Sequence, residues 1–155
     1  MEFKIIAHGN TGKDRIDLLH KSAKFYAQYL NIIDFKYTVT ICNTPNLREL
    51  AGNNGSAGKT GNKEITILID SKLKLPQLLI TLAHEMIHAK QYVRGQFRGD
   101  FSPSGKIKGF WLGKKYVVDY LNRPWEIEAF RRETELALAL LETVVQKAKK
   151  KKRST

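Results

Sequence analysis

His84-Glu85-Met86-Ile87-His88 places two imidazoles and a carboxylate where they can act together on one metal ion. Histidines at i and i+4 leave a helix on the same face, so both rings can reach a single ion. Glu85 follows the first of them and can hydrogen-bond a water held there. Zinc lowers the pKa of a bound water to about 7, and a carboxylate can then take its proton during attack on a carbonyl. The segment around the motif, QLLITLAHEMIHAKQYV, is apolar around most of its circumference and reads as a central, buried helix. Two histidines and a glutamate on such a helix need partners to offset their desolvation, and a shared metal provides them.

A catalytic zinc needs a third protein ligand and an open fourth position. No histidine follows His88, so a downstream ligand must be a carboxylate: Asp100, Asp119, Glu126, Glu128, Glu133 or Glu135. Most of these lie on a last helix that starts at Arg123-Pro124. There Ile127, Phe130, Thr134, Ala137, Leu141, Val144 and Ala148 recur at 3-4-3-4-3-4 spacing and predict the buried stripe. At ~100° per residue, Glu126 lies roughly 50° from the middle of that stripe and Glu128 roughly 150° away. Glu128 can then pair with Arg132 at i+4 on the polar face, and Glu133 sits two turns deeper. Helical phase therefore selects Glu126, with Glu128 as the alternative. Tyr116 and Tyr120 lie between motif and ligand, and either could hydrogen-bond the oxyanion, though each reads first as a core or hairpin aromatic. His8, His20 and Trp125 read as turn, helix-border and packing residues.

The elements that must position these groups are legible in outline. Phe3–Ala7 reads as a strand, and Ile16, Leu19, Ala23, Tyr26, Leu30 and Ile33 mark an amphipathic helix. Residues 36–42 alternate as a strand, with Tyr37, Val39 and Ile41 on one face. The segment 51–62, AGNNGSAGKTGN, predicts a flexible loop, and Ile65–Ile69 another strand. Pro76 opens the motif helix and Gly95 closes it. Residues 96–123 form a long connection with a hairpin around 106–118. Strands and helices in this order predict an α+β fold.

The chain has 155 residues, enough for one domain with a real core. Its net charge of +12 predicts attraction to polyanions. Half of that charge sits on residues 147–155, KAKKKKRST, so the expected organisation is one domain over 1–146 and a disordered basic tail. A single cysteine, Cys42, allows neither an internal disulfide nor a cysteine zinc knuckle. No apolar run suits a signal peptide or a membrane span, so a cytoplasmic protein without membrane contact, and a monomer, is expected.

HEMIHAKQY followed by a carboxylate-bearing helix resembles the zincin metallopeptidases whose third ligand is glutamate. In several such families that glutamate begins a Glu-x-x-Ala pattern, and Glu126-Ile127-Glu128-Ala129 fits it. Such families often place Asp directly after the Ala, where this chain has Phe130. WLGKKY (111–116) with RPWEIEAFRRE (123–133) is similar to small metallopeptidases of phage and bacterial genomes grouped with SprT-like proteins. The similarity covers residues 64–135. SprT proteins proper use a third histidine and often a cysteine zinc ribbon, and this chain has neither.

The resemblance implies a minimal zincin fold: a small twisted mixed sheet packed on an N-terminal helix, a central HExxH helix and a long C-terminal helix. It also implies one catalytic Zn2+ held by His84, His88 and Glu126, with Glu85 as general base in peptide hydrolysis. The strand Glu64–Asp70 would be the edge that pairs with an extended peptide or protein substrate. A different class remains open, a basic nucleic-acid-binding protein with structural zinc, or a protease brought to nucleic acid through Lys147–Arg153. Structural zinc ordinarily has four protein ligands, cysteine among them, which favours the enzyme.

Overall fold

The computed structural model describes the chain over residues 1–101 and 107–155, with side chains over 1–99 and 109–155. The side chain of Asp100 and the start of the expected hairpin at Lys106 lie outside the described residues. In chain order come β1 (Glu2–Ala7), α1 (Lys13–Tyr29), β2 (Thr38–Thr44), α2 (Leu47–Ala51), β3 (Gly55–Gly61) and β4 (Glu64–Asp70). Then follow α3 (Gln77–Val93), β5 (Phe97–Phe101), β6 (Ile107–Trp111), β7 (Lys114–Tyr116), a 3-10 turn (Tyr120–Asn122) and α4 (Pro124–Arg153). The architecture is α+β, as expected. One mixed sheet has the order β1-β2-β4-β3, and β5-β6-β7 form a small antiparallel sheet.

β1, β2 and β4 run parallel, and β3 closes one edge antiparallel to β4. Val39 and Ile41 of β2 and Ile65, Ile67 and Ile69 of β4 are buried, the period-two burial that one covered face requires. α1 buries Leu19, Ala23, Tyr26 and Ala27, close to its expected stripe. The Tyr26 hydroxyl donates to the Leu79 carbonyl at 3.0 Å and ties α1 to α3. Gly95, at φ +63°, takes the left-handed position that ends α3. Leu112 and Gly113, both at positive φ, turn β6 into β7.

Three expectations are corrected. The segment 51–62 is no flexible loop: it ends α2 and forms β3, the edge strand, so β4 (Glu64–Asp70) lies inside the sheet. Glycine-rich sequence has little strand propensity, and this strand follows from tertiary fit. A Cβ on Gly55 would stand 2.8 Å from both Glu85 Oε1 and Thr81 Cγ2. Only a bare backbone passes that close to α3.

The stripe predicted for α4 also fails. Ile127, Phe130, Thr134, Leu141, Val144 and Ala148 are exposed, and Ala137 alone of the set is buried. The buried face is Trp125, Glu126, Ala129, Leu136, Ala137 and Leu140. It is turned by roughly 100° at ~100° per residue. Polar partners set that phase, because the side of α3 that α4 meets carries His84, Lys90 and Gln91. Finally, the basic tail is not disordered but continues α4 to Arg153. Lysine and arginine are good helix formers, and cations suit the negative end of the helix dipole.

Candidate metal centre

α3 is buried on nearly every side, and its motif residues are no exception: His84, Glu85 and His88 are each at most 8% exposed. The sheet and α1 cover one flank. α4 covers the other and brings Glu126, also buried, to the two histidines. His84 Nε2 and His88 Nε2 lie 3.1 Å apart, and Glu126 Oε2 stands 3.3 Å from the first and 3.4 Å from the second. Ligands 2.0–2.1 Å from a tetrahedral zinc are separated by about 3.3 Å, the edge of the tetrahedron they define. The three donor atoms thus have the spacing that the ion requires.

Proton placement leads to the same conclusion. His84 Nδ1 contacts Glu133 Oε2 at 2.7 Å, and an ionised carboxylate can only accept, so this ring nitrogen carries the hydrogen. His88 Nδ1 contacts Gln91 Oε1 at 2.8 Å. Gln91 Nε2 is committed as donor to the Trp125 carbonyl and to Glu128 Oε2, at 2.9 and 2.8 Å, so its oxygen accepts from His88. Both Nε2 lone pairs therefore face each other and the Glu126 oxygen. Three acceptors converging on one point need a cation there.

Without a metal, a proton supplies it. Burial lowers the His84 imidazole, yet its bonds to Glu126 and Glu133 carry it up to about 9. His88 is likewise held above its ordinary value, burial being outweighed by Glu126 and Glu85. Glu126 moves the other way: burial raises it, but the two histidines draw it down to about 2.

Glu85 is placed differently. Its Oε2 is buried with no hydrogen-bond partner among the described residues, while the side chain lines the cleft beside the two histidines and Glu126. Burial pushes its carboxyl up to about 7, against the opposing pull of His88 and His84. An orphaned carboxylate oxygen beside three converging ligand atoms is suited to a water or an incoming proton. The donor set and the orphaned oxygen both fit a zinc ion.

The cleft has the β3 edge on one side, with Gly55, Ser56 and Ala57, and Tyr120 and Arg123 among its other lining residues. Of the two tyrosines singled out from sequence, Tyr120 reaches this cleft and Tyr116 does not. Burial and the adjacent Glu126 carboxylate push the Tyr120 phenol up to about 12, so it stays a hydrogen-bond donor. Trp125 is a packing anchor as expected, with its ring centroid 4.4 Å from that of Phe97. His8 and His20 are exposed and away from the centre; His20 rests edge-on against Phe3.

The remaining acids sort cleanly. Glu128, the alternative ligand, is drawn to Lys90 and Gln91 and lies 3.8 Å from Arg132. Glu135 accepts from Tyr29 at 2.9 Å, and Asp119 is exposed. Glu133, passed over as too deep, holds His84, and Gln91 was not singled out at all. Both leave a trace in the sequence, since Glu133 is two helical turns from Glu126 and Gln91 is i+3 from His88. Phe130, where related patterns carry Asp, instead packs its ring 4.7 Å from that of His84. No family profile, no curated protein and no solved structure matches this chain.

Proposed function

We propose that this protein is a zinc-dependent metallopeptidase of minimal zincin type, acting on extended peptide or unfolded protein. The observation that carries the reading is the triangle of His84 Nε2, His88 Nε2 and Glu126 Oε2, 3.1–3.4 Å on a side, beside the unpartnered Glu85 Oε2. Zinc bound there would supply Lewis acidity toward water and the scissile carbonyl. Three protein ligands opening on a cleft favour catalytic over structural metal, which is ordinarily closed by four.

The chain's own residues do the rest. Glu85 takes the proton of the attacking water at its free oxygen and hands it to the leaving amine nitrogen, a transfer suited to a carboxyl drawn towards neutrality. Tyr120 donates its hydroxyl to the oxyanion as it forms. β3, which among the described residues pairs with β4 alone, offers its other backbone edge to an extended substrate. This role passes to β3 from the interior strand β4.

Digestion of denatured casein by the zinc-loaded protein tests the reading. Glu85→Gln should keep one zinc per chain and lose about 10²–10⁴-fold in turnover. Full activity in that variant would overturn the mechanism.

A further inference from the structure

The stripe that sequence periodicity marks on α4 is left uncovered by the fold, and its C-terminal half is the more unusual part. From Leu141 onward no residue of α4 is buried. Leu138, Leu141, Val144 and Val145 are between 41% and 56% exposed. At ~100° per residue they occupy an arc of about 120°, turned by roughly 100° from the face that packs on α3. Glu142 is the one acid after residue 138, and by the same count it lies about 100° from the middle of the arc. Directly beyond come Lys147, Lys149, Lys150, Lys151, Lys152 and Arg153. A helical stretch that buries nothing is marginal in water, and an apolar arc on it asks for a cover.

The charge pattern distinguishes the possible covers. A second copy laid parallel would set one lysine cluster against the other. An antiparallel copy centred on the arc would set Lys152 against Arg131. Nucleic acid would neutralise the lysines but offers nothing to Leu138, Leu141, Val144 and Val145. An anionic bilayer answers both features, since its headgroups pair with the lysines and its outer acyl layer takes the apolar arc. Lysine stems can lie along that layer while their ammonium groups stay at the headgroups. No helix among the described residues is long and apolar enough to cross a membrane, but lying on one needs only a face.

We propose that residues 138–153 of α4 form a docking face for an anionic phospholipid surface. Bound so, the helix lies in the plane of the headgroups. The same side of α4 carries Ile127 and Phe130, the latter with its ring 4.7 Å from that of His84, so docking would hold the metal centre near the lipid. The docking itself does not depend on the peptidase reading.

Co-sedimentation of the full chain with vesicles tests it, comparing phosphatidylcholine mixed 3:1 with phosphatidylserine against phosphatidylcholine alone. Binding should require phosphatidylserine and weaken as salt rises. Replacing Lys150, Lys151 and Lys152 together by Gln should lower partitioning about a hundredfold. Leu141→Gln with Val145→Gln should lower it tenfold or more with charge unchanged. These side chains lie outside the buried core, so thermal unfolding of the variants should stay close to the parent and exclude misfolding as the cause. If the Leu141/Val145 variant sediments like the parent while a DNA duplex binds with steep salt dependence, the face is a polyanion contact and the proposal is overturned. A dimer in sedimentation velocity that Leu141→Gln dissociates, without vesicle binding, overturns it in favour of a second copy.

Discussion

α4 makes two unlike contacts along one helix. Its first half meets α3 partly through polar groups, in which buried Glu126 and half-buried Glu128 and Glu133 each answer a named atom on His84, His88, Lys90 or Gln91. Beyond Leu140 the helix carries a regular apolar pattern and none of its residues there is buried. Hydrophobic periodicity therefore pointed to the wrong face: the apolar residues α4 does bury, Ala129, Leu136, Ala137 and Leu140, share a side with Glu126, and its pairing with the α3 histidines fixes the helix rotation. A buried carboxylate costs free energy unless paired, and here the pairs are what turn the helix inward.

Truncating one leucine from each half puts the contrast to its strongest test. Leu136→Ala should cost about 2–5 kcal/mol in urea unfolding, because its side chain is wholly buried. Leu141→Ala should change stability by less than about 0.5 kcal/mol. Equal losses would mean that the two halves are packed alike.

The next effect sharpens the polar half. Glu133→Gln should weaken zinc by about 10–100-fold in a chelator competition, since the carboxylate orients His84 and raises its basicity. Glu135→Gln, one turn-face away and bonded to Tyr29, should leave zinc affinity unchanged. A Glu133 variant with parental affinity would reduce that contact to packing.

Smaller still, and graded, is the response to pH. His84 is raised to about 9 in the metal-free protein, so its stabilising contribution is complete below 6.5 and lost as pH rises through 9. Glu85, raised to about 7, acts in the same direction at lower pH: its contribution is present below 4.5 and lost through 7. Zinc must displace the His84 proton, so its apparent affinity should climb with pH up to about 9. The gap in melting temperature between zinc-loaded and metal-free protein should accordingly widen from pH 6 to pH 9. A constant gap would show that the converging acceptors hold no proton to displace.

The sequence made α3 and its motif legible because chemistry and periodicity agree there: an apolar helix with two histidines at i and i+4 has few alternatives. Glu126 was reached by a stripe that proved to be exposed. It lies between the exposed and the buried faces of α4, so either phase comes near it. Glu133 is hidden because its partner, the His84 ring, lies on another helix, and Gln91 because an i+3 spacing from His88 does not by itself mark a hydrogen bond. β3 escaped for the opposite reason. Its residues carry no strand signal, and the edge forms because β4 offers a partner and α3 leaves room only for backbone.

That last fit bears on which changes the chain can tolerate. At position 55 any side chain would meet the Glu85 carboxylate or Thr81, whereas at Gly58 nothing lies within 4 Å of an added methyl. Randomising the glycine-rich segment and selecting for folded chains should return glycine at 55 with a nearly free choice at 58. What reads as a spacer is, at that one point, among the least replaceable stretches of the molecule.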